Sequence, residues 1–209
     1  MNARQEVLGR IAAALGLDVR APIVPRAYRA GGPEPPGSPV LVERFCDRVA
    51  AYEARVHRAA AGGIDDSVAA ACSARGSRRL VAAPDASCRP AGLEIVADDV
   101  RMDPRELGRF DAALTGCVLA VAETGTIALD GSPLGGRRAL TLVPDHHICV
   151  VRADQIVAGV PDLIAALADA ARARQPVTLV SGPSATSDIE LERVEGVHGP
   201  RLLDLIVVS

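Results

Sequence analysis

The chain has 209 residues, 23 basic and 26 acidic side chains and a formal net charge of −3, and every basic residue is an arginine. Without lysine it forms no internal Schiff base and has no lysine-bearing P-loop, which excludes pyridoxal-phosphate enzymes, imine-forming aldolases and that class of nucleotide binder. With no tryptophan, two tyrosines, two phenylalanines and a slightly acidic balance, it has neither the stacking platforms nor the cationic field of a nucleic-acid binder.

The length suits one domain with an appendage. Near the start, Val7, Leu8, Ile11 and Leu15 share one face of a predicted helix over residues 3–15, and Gly16 is a plausible stop. Glu6 and Arg10 at helical spacing, and the lack of a clear cleavage site, make this an amphipathic helix rather than a signal segment, and no apolar run is long enough to span a bilayer, so a cytoplasmic protein is expected. From Asp18 to Pro39, six prolines and three glycines predict a linker or extended arm. Residues 1–39 are therefore read as helix plus linker, and the domain proper as 40–209.

Leu41, Phe45, Val49, Tyr52 and Val56 predict a long helix ended by Gly62-Gly63. A second helix, capped by Asp65 or Asp66, should bury Val68 and Cys72. Strands are predicted at 79–83 and 93–97, and Pro104 opens a helix running to about Phe110. Short apolar runs between turns follow, with strands over 126–129, 139–143 and 147–151. A helix capped by Asp162 carries Leu163, Ile164 and Leu167. A buried-looking strand spans 177–180, and a last one 205–208. This alternation predicts an α/β sandwich of three-layer character, with a mixed, mostly parallel sheet and some antiparallel hairpins in the second half.

The five cysteines, Cys46, Cys72, Cys88, Cys117 and Cys149, are widely spaced with no CxxC, unlike a disulfide framework, a zinc ribbon or an iron–sulfur ligand set. A redox role would need a borrowed cofactor. No HxxxH or HxH pattern exists, so no metal site is expected.

Four segments can carry chemistry. In Glu123-Thr124-Gly125-Thr126 a carboxylate can act as base or nucleophile, while the hydroxyls and the glycine backbone contact an anion; a polar turn satisfying itself is the plainer reading. Ser181-Gly182-Pro183-Ser184, continuing to Asp188, follows a strand and can cradle an anion or simply cap a helix. Asp145-His146-His147 puts its imidazoles on opposite faces of an extended segment, so His147 suits proton transfer or a buried hydrogen bond better than chelation. Gly196-Val197-His198-Gly199-Pro200 is a tight turn displaying His198. Arg137 and Arg138, beside Gly135-Gly136, are candidate anion contacts or solvated charges. Gly131 to Gly136 is not a GxGxxG loop, so a nicotinamide site is not expected.

In order, Ala122-Glu123-Thr124-Gly125-Thr126-Ile127, the run from Arg138 to Val151, Ser181-Gly182-Pro183-Ser184 through Asp188-Ile189-Glu190, and Gly196-Val197-His198-Gly199-Pro200 together resemble the LUD-domain family, specifically its LutC/YkgG group. The resemblance covers residues 40–209. It implies a fold similar to the NagB/RpiA/CoA-transferase-like group. It also implies participation in oxidising L-lactate to pyruvate beside two cysteine-rich iron–sulfur proteins, with this chain as the cluster-free component and the clusters on its partners. Other members often carry arginine after Gly-Pro-Ser; Ala185 here removes that contact but leaves the backbone cradle. The group brings no established catalytic residues, so Glu123 and His147 stand as candidate catalytic residues on chemical grounds. Thr124, Gly125, Thr126, Ser181, Gly182, Ser184, Asp188 and His198 stand as candidate contacts for a small carboxylate. A stand-alone enzyme of CoA-transferase or sugar-phosphate-isomerase type, with Glu123 as base, and a carboxylate-sensing module remain open alternatives.

Overall fold

The computed structural model describes residues 2–16, 23–86, 88–186, 194–196 and 198–209. Helix α1 (Ala3–Leu15) begins where the Asn2 side chain accepts the Gln5 N–H and the Gln5 side chain accepts that of Asn2. It buries no residue, and its apolar stripe Val7, Leu8, Ile11 and Leu15 stays exposed. Residues 23–38 carry no helix or strand but run close along 153–162. The Gly37 N–H donates to the Ile156 carbonyl, and side chains at Gly31 and Gly32 would collide with Asp162 and Ala158.

Helix α2 (Pro39–Ala51) buries Leu41, Val42, Phe45, Cys46 and Val49. It is shorter than predicted. Glu53 sits at φ 67°, in the left-handed region that stops a helix, and Val56 belongs instead to strand β1 (Arg55–Ala59). Helix α3 (Ile64–Arg75) buries Val68, Ala71 and Cys72. Gly63 precedes it, and Asp65 and Asp66 lie in its first turn rather than at the cap, where they oppose the helix dipole's positive end. Strands β2 (Arg79–Ala82) and β3 (Glu94–Ala97) come next, then a 3₁₀ turn at Pro104–Arg109 capped by Asp103.

Strands β4 (Ala112–Gly116), β5 (Leu119–Val121) and β6 (Thr126–Leu129) follow. The predicted strand at 139–143 is a 3₁₀ turn, Arg138–Thr141. The Leu142 and Val143 N–H groups fold back onto the Ala139 carbonyl, and no neighbouring strand offers a ladder. Strand β7 (His146–Arg152) and the short β8 (Ile156–Val157) lead to α4 (Val160–Ala166). There Asp162 accepts the Gly159 N–H from inside the first turn, and Ile164 is exposed. After α5 (Ala168–Arg172) come β9 (Thr178–Val180), β10 (Ala185–Thr186), β11 (Val194–Glu195) and β12 (Leu202–Val208). Strand β9 is not buried as predicted: it is a sheet edge, and Leu179 is 52% exposed.

The main sheet has six strands in the order β1-β12-β7-β4-β2-β3, every pair parallel. A second sheet, β8-β5-β6-β9, mixes one parallel with two antiparallel pairs. Alternation along β7 separates two cores. Ile148 and Val150 pack with Val68 and Cys72 of α3, whereas Cys149 and Val151 pack with Phe45 and Val49 of α2 and with Ile127 of the second sheet. Beyond that sheet, Val121 and Ala128 meet Leu163 and Leu167. The layers are thus α3, the parallel sheet, α2 with the second sheet, and α4 with α5: the expected α/β sandwich. The five cysteines are buried, Cys46, Cys117 and Cys149 in one core and Cys72 and Cys88 in the other. No helix among the described residues is long and apolar enough to cross a membrane.

Candidate functional site

Pairing of β6 with β9 aligns Ile127 with Val180, so the residues just beyond, Thr126 and Ser181, become neighbours. Their hydroxyls lie 2.7 Å apart, and Thr126 is 2.6 Å from the Thr124 hydroxyl. Two glycines let these turns sit on α2 and its end. Gly125, at φ 65°, lies against Arg48 and Val49; Gly182, at φ 114°, lies against Tyr52.

From this chain of hydroxyls a cleft of about 250 Å³ opens, lined by Ser181, Gly182, Ser184, His198, Gly199, Arg138 and Thr141 among others. Ser184 stitches the two glycine loops together: its N–H donates to the Pro200 carbonyl, and its hydroxyl accepts the His198 N–H at 3.0 Å. The Arg138 guanidinium is held at the cleft by Thr178, 2.6 Å from its hydroxyl. One cation, one imidazole, hydroxyls and glycine backbone around a small volume form a surface suited to a small anion. Asp188 lies outside the described residues. Arg137, the other candidate cation, makes a bidentate pair with the nearly buried Asp98 instead.

Glu123 and His147 do not line this cleft. The Arg29 guanidinium, from the arm, donates to both Glu123 oxygens, at 2.8 and 3.1 Å. That bond, with the charge behind it, holds the Glu123 carboxyl below its ordinary pKa. His147 is buried, with Nε2 2.9 Å from the Thr115 hydroxyl. Burial first, and the neighbouring His146 second, push its pKa down to about 4. Near neutrality the Glu123 carboxyl is therefore ionised and the His147 imidazole neutral. Among the described residues, no group of three or more His, Cys, Asp and Glu side chains is placed to hold a metal ion.

The LUD domain family model matches residues 78–208. The chain belongs to the LUD-domain family. The chain is 45% identical over 180 residues to lactate utilization protein C of Deinococcus radiodurans, covering 85% of this chain and 84% of that one. It is 31% identical over 144 residues to YkgG of Escherichia coli, 62% of either chain. A crystal structure of a DUF162 family protein from Deinococcus radiodurans superposes on this LUD domain with a TM-score of 0.68 at 40% identity, over 81% of this chain and 97% of that one. The family span contains every strand but β1, and the whole lining of the cleft, whereas Arg29 and α2 lie before it.

Proposed function

We propose that this LUD domain serves lactate utilization, as the cluster-free component beside two cysteine-rich iron–sulfur proteins in the oxidation of L-lactate to pyruvate. The observation that carries the reading is the 45% identity over most of both chains to a protein named for lactate utilization. The cleft is consistent with it. Arg138 and His198 match a carboxylate, and the Ser181 hydroxyl can either donate to or accept from the oxygen on the neighbouring carbon. Oxidising lactate removes two electrons and two protons. The scattered cysteines of this chain match no cluster ligand pattern, so in this reading the electrons pass to clusters on the partners. Glu123, in its basic form and next in sequence to the Thr124–Thr126–Ser181 hydroxyl chain that reaches the cleft, is the proposed proton acceptor; His147, buried on Thr115 and outside the cleft lining, takes no part in this reading.

A second reading, a module that binds a small carboxylate without transforming it, draws on the absence of Glu123 and His147 from the cleft lining. Co-purification with the iron–sulfur proteins, followed by a lactate-dependent dye-reduction assay, separates the two. Dye reduction that needs this chain and falls with Glu123→Gln supports the first. Lactate binding with dye reduction indifferent to the chain leaves only the second. Deleting the gene should abolish growth on L-lactate and spare growth on pyruvate; unchanged growth on lactate, with no second copy present, overturns the first.

A further inference from the structure

At the opposite face of the parallel sheet from α2, a carboxylate interrupts an otherwise apolar strand. Asp204 is fully buried in β12. Its Oδ2 is 3.0 Å from His146 Nε2, and its Oδ1 is 2.6 Å from His57 Nε2, while Arg75 Nε donates to it at 3.3 Å. On the far side of the imidazole, His146 Nδ1 is 3.0 Å from the Ser77 hydroxyl.

The protons in this chain can be assigned. Burial alone would raise the Asp204 pKa, but the hydrogen bonds from His146 and His57, with the charge of Arg75, outweigh it and hold the group at about 2. Asp204 is therefore ionised and only accepts. It needs a donor on His146 Nε2, and in the neutral imidazole that tautomer leaves the Nδ1 lone pair facing Ser77. The Ser77 hydroxyl donates to Nδ1, and its oxygen lone pairs are left for whatever lies on its other side. That side is a cleft of about 420 Å³, lined by Ser77, His146 and Arg75 and sharing no residue with the carboxylate cleft.

We propose that Ser77 is an activated nucleophile, with His146 as its base and Asp204 as the positioning residue, acting on uncharged or cationic carboxylic esters bound in this cleft. The Ser77 Oγ attacks the ester carbonyl carbon while its proton passes to His146 Nδ1. The tetrahedral adduct expels the alcohol oxygen, which takes that proton. Water then cleaves the acyl-Ser77 with His146 again as base, releasing the acid and restoring the hydroxyl. Arg75 can stabilise the developing oxyanion, since among the described residues only its Nε is engaged. Asp111 and Asp145 line the same cleft and disfavour an anionic substrate, while Phe110 and Val143 offer apolar surface to an acyl or alkyl group.

The test uses the full chain, a fluorophosphonate probe and p-nitrophenyl acetate. Peptide mapping should place a single adduct on Ser77 in the folded protein and none in urea. Ser77→Ala should abolish it, and His146→Gln should slow labelling and ester cleavage by about 100-fold or more. Circular dichroism of each variant separates lost chemistry from lost structure, and L-lactate should not protect Ser77. No adduct on Ser77 of the folded wild-type chain overturns the proposal, as does equal labelling of folded His146→Gln. Neither result touches the lactate reading, which rests on other residues.

Discussion

The Thr126 hydroxyl stands 2.7 Å from that of Ser181, although 55 positions separate the two in the chain. Thr126 is nearly buried and bonds on its other side to Thr124, so it joins the glutamate-bearing turn to the glycine–serine loop at the cleft. Thr126→Val keeps the shape and removes the link. Its expected cost is about 1 kcal/mol, read as a lower urea midpoint with unchanged slope. An unmoved midpoint would mean that water already satisfies these hydroxyls.

Gly125 makes the same turn possible from below. A Cβ there would come within 2.9 Å of the Arg48 carbonyl carbon and the Val49 nitrogen, at φ 65°. Backbone atoms of a packed helix cannot swing aside, so Gly125→Ala should destabilise by more than about 1 kcal/mol. Gly92→Ala is the control: it shares a positive φ, but nothing lies within 4 Å, so it carries only the backbone strain. Thermal unfolding of the two should rank them in that order. Equal losses would show that conformation, not contact with α2, sets the requirement for glycine.

These two turns show what was legible in the chain. Strands β6, β7 and β12 could be read because each is a short apolar run bounded by turns. The glycine loops could be read because glycine and hydroxyl residues beside a strand mark a cradle. Two of the departures have a plain local cause. Where one apolar period ran across a reversal, Val56 was joined to the helix before it. Where an apolar run had no strand partner, residues 139–143 became a 3₁₀ turn. Partners brought in from far along the chain, such as Arg29 on Glu123, leave no local pattern at all. Asp204 did leave one: a lone acid inside Leu202–Val208 must be buried and paired.

His147 should set a pH dependence of stability. Its folded pKa, about 4, lies below the ordinary histidine value of 6.5. The unfolded chain therefore binds this proton first, and stability falls as pH drops from about 6.5 toward 4, then levels once both states are protonated. A shift of this size corresponds to roughly 3 kcal/mol at most. In His147→Gln that part of the fall should vanish. Urea unfolding at pH 7 and pH 4.5 measures it, and an equal drop in both proteins would assign the effect to other groups.

Glu123 and Arg29 form an exposed pair, 41% and 63% accessible at the side chain, so water and salt screen it. Glu123→Gln should leave the unfolding midpoint unchanged, which makes any loss of lactate-dependent dye reduction a statement about chemistry. Arg29→Ala should let the Glu123 pKa rise back toward the ordinary glutamate range, followed by carboxyl NMR titration. A Glu123 pKa that stays low without Arg29 would place the cause in the other groups that lower it, the Val160 N–H and the Arg44 charge.

Arg138 decides whether the cleft is a carboxylate site. Its guanidinium is exposed, but Thr178 fixes its direction, so an incoming carboxylate meets a cation already oriented, with His198 and Ser181 lining the same cleft. A ligand present at 100 times its dissociation constant adds about 2.7 kcal/mol of stability, a readily measured rise in unfolding temperature. L-lactate should produce that rise in the wild-type chain, and Arg138→Ala should remove it while leaving the unliganded protein as stable as before. Arg138→Lys should restore only part of it, because an ammonium on a flexible stem keeps the charge but not the planar fork. If Arg138→Ala still responds fully to lactate, the carboxylate lies elsewhere, and this cleft loses its assignment.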